Sequence, residues 1–280
     1  MPPLLIAMSL AGCGPAATDA GSPGVGDAAP PAAGNPAAAL AKWRSFPVEA
    51  DPRPLVLTRG TIIDPLSGFR SGEGKLAFLS GQFDLAVALP ATPASSAGYA
   101  VISAKAALDQ LRANSNGQPS ASRLRVVTAA LGQAQFGTDR GPRLLPAWRF
   151  GLDQVSDPVW VLAVDPKALW PAKPSSMSGY GVEATVGQDG RTLSYGFDAG
   201  PAGPPPCGTE YTASAVESAT AVVVRLEQVA QQRPSSSRPT DSVACPAIGQ
   251  HRTVTLRLAS PLGGRVLLSP DGAPVPVLSS

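Results

Sequence analysis

His251 is the only histidine among the 280 residues, so any serine–histidine–aspartate relay would have to run through it. It opens the alternating stretch HRTVTLRL on its polar parity, and no G-x-S-x-G elbow supplies a nucleophile. It reads as an exposed strand residue. Glu210 and Glu217 are the candidate pair for general acid–base work. Their odd separation puts them on opposite faces of a strand unless a bulge intervenes. No phosphate-binding glycine loop and no dinucleotide fingerprint occur in the sequence. The acids lack the spacing of a calcium loop. No catalytic residue, cofactor or metal is therefore expected.

The three cysteines carry more information. Cys13 ends the run LAGC, behind the apolar segment Leu4–Leu10. Small residues before a cleavage point suit a signal peptidase. The stretch resembles the lipobox of bacterial lipoproteins, which implies that Cys13 is diacylated and becomes the mature N-terminus. Two acyl chains hold a protein at a membrane because each buried CH2 contributes about 0.8 kcal/mol. Only twelve residues precede Cys13 and the first basic residue is Lys42, so a start further upstream is expected. Cys207 and Cys245 remain, and an even pair in an exported protein reads most simply as a disulfide. It would close a loop of 39 residues, a constraint of about 4 kcal/mol on the chain-entropy model. The alternative is two buried thiols. A zinc site lacks ligands, with one histidine and two distant cysteines.

Two further groups of side chains bear on binding. Arg140, Arg143 and Arg149 cluster around the turn TDRGPR and could meet an anionic partner, but a solvated turn is the better default. Trp148, Trp160 and Trp170 lie in one strand region, where Trp148 and Trp160 line either a groove or the core. The net charge of +2 comes from scattered charges of both signs, with no basic stripe interleaved with aromatics. Nucleic acid is therefore not an expected partner. No apolar run reaches the roughly 18 residues of a membrane-spanning helix.

These residues need elements to position them. Residues 1–12 read as a signal peptide. Residues 13–42, almost wholly Ala, Gly, Pro, Ser and Asp up to residue 41, read as a disordered tether with too little apolar bulk to offset the entropy of folding. An α+β module is expected over 43–170. Its short apolar runs Leu55–Leu57, Leu76–Leu79 and Leu85–Leu89 read as strands, joined by turns at Asp64-Pro65 and Ser67-Gly68. In SAKAALDQLRAN, Ser103 is an N-cap, and Ala104, Ala107, Leu108 and Leu111 recur at helical spacing. Strands follow over 123–136, with a break or bulge near Gly132, then over 144–152 and 157–166. Residues 171–179 read as a linker. An all-β module is expected over 180–280, with a hairpin at Gln188-Asp189-Gly190 and strands over 211–230 and 251–258. The fold class is thus α+β and β-rich: one helix on an antiparallel sheet, then a small sandwich or barrel.

The order I-S-x-x-x-A-L-x-x-L, long strand, turn, L-x-P-A-W-x-F, strand, over residues 102–166, resembles the PepSY-like and cystatin-like modules of bacterial envelope proteins. That resemblance implies a small binding, sensory or inhibitory module. From Phe46 to Val277 the chain also resembles a group of uncharacterised actinobacterial secreted lipoproteins. FPVEADPRPLVL, SGFRSGEGKLAF, TDRGPRLLPAWRF, CGTEY with VES, and HRTVTLRLASPLGGRVL with PVPV carry this likeness. It implies export, the disulfide and these boundaries, with no activity attached. The expected function is a non-enzymatic lipoprotein on the outer face of the cytoplasmic membrane. It would be anchored through Cys13 and would bind an envelope protein or cell-wall component. The alternative is an envelope hydrolase with an atypical site around His251 or the scattered carboxylates. Oligomeric state is not readable from the sequence.

Overall fold

The computed structural model describes residues 35–65, 68–117, 120–172, 182–204, 207–229, 245 and 248–278. Cys13, the proposed signal peptide, the tether up to Gly34 and residues 173–179 of the expected linker lie outside the described residues. In chain order the elements are α1 (Pro36–Lys42), β1 (Ile62–Ile63), α2 (Gly72–Leu79), β2 (Phe83–Leu85), β3 (Ser95–Ser96), β4 (Tyr99–Ala100) and α3 (Ala104–Ala113). Then come β5 (Leu124–Thr138), β6 (Gly141–Leu152), β7 (Val159–Leu162), β8 (Glu183–Val186), β9 (Thr192–Ala199) and β10 (Tyr211–Glu217). The last four are β11 (Ala221–Gln228), β12 (Gln250–Arg257), β13 (Val266–Leu268) and β14 (Val277–Leu278). The chain is α+β and β-rich.

The first sheet has the order β1-β7-β6-β5-β2, antiparallel except where β2 runs parallel to β5. Helix α3 forms as its apolar spacing requires. Ser103 caps it by accepting from Ala106 N at 3.1 Å, and Ala104, Ala107, Leu108 and Leu111 are buried. These side chains meet Leu124, Val126, Trp148, Phe150, Val159 and Val161 on one sheet face. Trp148 belongs to this core and donates its indole N–H to Ile102 O at 2.9 Å. The β-bulge of β5 falls between Val126 and Thr128, against the expectation of Gly132. The β5–β6 pairing closes at Thr138 and Gly141, so the connection is the two residues Asp139 and Arg140, with Gly141 at φ 80°.

Leu76–Leu79 is helix, contrary to the strand expectation. Ser71 caps α2 by accepting from Gly74 N at 3.0 Å, and Glu73 sits in its first turn, where the helix dipole favours an acid. Gly72 and Gly74 hide the helix from a propensity reading. The turn that ends it needs Gly81, at φ 70°, where a Cβ would run into the Arg112 carbonyl.

Two sheets with the orders β10-β11-β13 and β12-β9-β8-β14 face each other through Val222, Val224 and Leu267 against Leu193, Tyr195, Phe197 and Leu256. The 211–230 stretch is two strands, a hairpin of β10 and β11. The outer face of β11 and β13 is apolar too: Ala221, Val223, Val266 and Leu268 are all buried. What covers them is the start of the folded chain. Asn35 caps α1 by accepting from Ala37 N and Ala38 N, with Pro36 at the first helical position. Helix α1 therefore occupies the end of the segment expected to be a tether. Ala39, Trp43, Phe46 and Val48 lie on β11 and β13 together with Val56 and Trp170. Trp170 thus leaves the strand region where it was expected and stacks on Trp43, with ring centroids 6.0 Å apart. The N-terminal segment and the first module contribute to the outer core of the second.

This shared core makes Trp43 a support for both halves. Trp43→Ala is expected to destabilise the protein by about 3–5 kcal/mol. Urea unfolding followed by far-ultraviolet circular dichroism measures that loss.

Candidate functional site

The charged side chains singled out by type are mostly engaged in structure. Cys207 and Cys245 are disulfide-bonded, with S–S 2.08 Å and Cα–Cα 5.2 Å. Beside the bridge, Glu210 accepts from Gly203 N at 2.8 Å and from Arg252 at 3.0 Å. Arg252 also donates to Thr209 O and lies over the rings of Tyr211 and Phe197, at 5.2 and 6.0 Å. Glu217, at the other end of β10, accepts from Arg265 at 2.8 Å and from Ala259 N at 2.6 Å. Each glutamate thus holds its own arginine, and the two do not share a site.

His251 stands on the outer face of β12, as its parity requires. Its Nδ1 is 3.2 Å from Asp198 Oδ1 across the β9–β12 ladder, and both side chains are about half exposed. The ring lies over Gly196, where a Cβ would stand 2.9 Å from Nε2. The next register pair on that face is Thr253 with Gly196, so the ladder presents no serine to the imidazole there.

The three arginines of the TDRGPR region go separate ways. Arg140 reaches into the second module and donates to Gly263 O at 2.8 Å and Arg265 O at 2.9 Å. Arg143 and Arg149 are exposed along β6. Asp139, buried to 2% side-chain exposure, accepts from Arg53 at 3.2 and 2.5 Å. Arg53 also donates to Gly264 O and lies 4.7 Å from the Phe46 ring.

A surface that sequence reasoning missed lies at the β2 edge of the first sheet. Leu76 and Leu79 of α2, Leu85 of β2, Val87 just beyond it and Val127 at the β5 bulge are all exposed. They are five of the eight large exposed hydrophobic side chains among the described residues, the others being Leu144, Val229 and Ile248. Phe78 packs edge-on against Phe83, which holds α2 to β2. Gln82 O and Ala86 N bond to β5, so the intervening Leu85 turns its backbone groups away from the ladder. On the same outward side Phe83 O accepts from Arg112 at 2.9 Å, so the edge is open for pairing at Leu85. The signal in the sequence was FDLAVALP, an apolar run with no second strand to cover it.

A shallow groove of about 310 Å³ lies between α1 and the β10–β11 turn, lined by Leu40, Arg44 and Thr220 among others. Among the described residues no group of three or more His, Cys, Asp or Glu could hold a metal ion, and no helix is long and apolar enough to cross a membrane.

No protein-family model, curated protein or solved structure matches this chain.

The Glu217–Arg265 contact makes a pH prediction. Burial opposes the Glu217 charge, but the Arg265 hydrogen bond and the N–H groups of Ala259 and Ser260 outweigh it and hold the carboxyl below the ordinary glutamate range. A lowered folded-state value gives stability that is present above the ordinary value of 4.5 and lost as pH falls through the lowered one. Glu217→Gln is expected to cost about 1–3 kcal/mol at neutral pH. The gap from wild type should close on acidification below 4.5. Thermal melts of both proteins across that range check it.

Proposed function

We propose that this chain is a non-enzymatic binding protein of the cell envelope, anchored by lipid on Cys13 at the outer face of the cytoplasmic membrane. The observation that carries the binding role is the apolar β2 edge. Exposed aliphatic side chains around an open strand edge are the arrangement by which a sheet takes up a partner segment. The disulfide supports the compartment, because such bonds persist in oxidising environments. Helix α3 lying across β5, β6 and β7 supports the PepSY-like or cystatin-like version, in which the first module senses or inhibits a partner protein.

A second reading rests on His251 and Asp198. An exposed imidazole beside a carboxylate is part of a hydrolytic relay. Activity profiling of wild type against His251→Ala tests it, and an activity abolished by the substitution would favour the hydrolase.

Two measurements test the leading reading. The intact mass of protein extracted from native membranes should match a chain beginning at diacylated Cys13, with two thiols appearing only on reduction. An unprocessed chain with three free thiols would contradict the anchor. Crosslinking in membranes should recover a specific protein partner with wild type and lose it with Leu85→Asp/Val87→Asp. Both side chains are exposed, at 48% and 37%, so the melting temperature should hold. Equal recovery with the variant would show that the β2 edge does not bind the partner.

A further inference from the structure

The face of the first sheet opposite α3 is covered at one end only. Leu55, Leu57 and Leu169 pack there against Phe136, Leu145 and Leu162. Toward the other end the face carries Thr128, Ala130 and Gly132 of β5, Arg149 and Gly151 of β6, and Trp160 of β7, all partly or fully exposed. The position of Trp160 decides what this surface can do. Its register partner is Arg149, yet its ring extends two strands across, because a Cβ on Gly132 would stand 3.3 to 3.4 Å from its six-membered ring. Gly132 pairs with Ala147, and these two small residues leave the space in which the indole reaches across the sheet.

Arg149 reaches over that ring, its guanidinium carbon 5.9 Å from the centroid. Arg53, Arg140, Arg252 and Arg265 are each hydrogen-bonded to carbonyls or carboxylates. The Arg149 side chain has no hydrogen bond or ion pair among the described residues, and its neighbour across the β5 ladder is the uncharged Ala130. Further along the face, the Thr128 hydroxyl occupies the place a Cβ on Gly151 would need, which sets a donor and acceptor beside the platform.

We propose that Trp160 and Arg149 form a subsite for an acidic sugar of a glycan chain. A pyranose ring has one face of C–H groups that stacks on an indole. A carboxylate on that ring matches the planar fork of a guanidinium. The partner is acidic because the arginine on the platform has no carboxylate partner among the described residues. It is a glycan because the platform offers a flat aromatic with a hydroxyl, whereas the aliphatic side chains suited to a protein segment cluster at the β2 edge. The subsite does not depend on the anchor or on that edge.

The test is affinity electrophoresis of the full chain through polygalacturonate and, separately, neutral dextran. Wild type should be retarded by polygalacturonate and not by dextran, with the retardation falling as salt rises. Arg149→Gln, and Ala130→Glu, which places a competing carboxylate opposite Arg149, should each weaken binding about tenfold or more with unchanged melting temperature. Arg44→Gln, which removes an exposed charge just after α1, should bind as wild type. Trp160→Ala should abolish retardation, but it also removes packing, so the two surface variants decide. Absence of retardation with wild type, equal retardation by dextran, or wild-type binding by both Arg149→Gln and Ala130→Glu would each overturn the subsite.

Discussion

A buried carboxylate holds this molecule together. Asp139 sits in the two-residue turn of the first sheet's long hairpin, and its charge would be costly there without partners. Arg53 supplies a forked contact, and Arg140 Nε stands 3.7 Å from Oδ2. The backbone of Asp139 is used as well: its N–H donates to Val56 O, and its carbonyl accepts from Val277 N. One residue thereby touches the chain's entry segment and its last strand. The two arginines continue outward to the carbonyls of Gly263, Gly264 and Arg265. The Trp43–Phe46–Trp170 cluster packs in the same junction, so apolar burial and charge pairing act at one seam.

The seam also explains where the arginines go. An arginine-rich chain with net charge +2 invites a search for an anion-binding patch. Arg53, Arg140, Arg252 and Arg265 are instead cross-links, each joining segments far apart in sequence. Their long stems and multiple donors suit that work. Against this background an exposed arginine on a sheet face beside a tryptophan stands apart. The surface of the first module thus carries an apolar strand edge and, separately, a polar aromatic face.

Local signals were readable from the residues alone. The capped helix α3, the long hairpin of β5 and β6, the alternation of β12 and the cysteine pair all follow from spacing and residue type. Long-range features were not. Nothing local tells that β2 runs parallel to β5, β13 to β11, or β14 to β8. Helix α2 was obscured by its glycines. Trp43 and Trp170 are separated by most of the first module, so their stacking, and with it the docking of α1 on the second module, had no sequence signature. Of the candidate surfaces, the β2 edge was present as an apolar run read as a strand, with nothing local to show that it stands at the sheet's edge. Arg149 and Trp160 were both noted, but only the register of β6 and β7 brings them side by side.

Joined at the Asp139 seam, the two modules should unfold as one cooperative unit. Native-state hydrogen exchange measures this directly, by comparing the opening free energy of core amides in β6 and β7 with that of core amides in β11 and β13. Both sets should share one value, and Asp139→Asn should lower the two together by the same amount. Two distinct values in the wild type, with the substitution lowering only one set, would show that the modules unfold independently and that the seam does not join them.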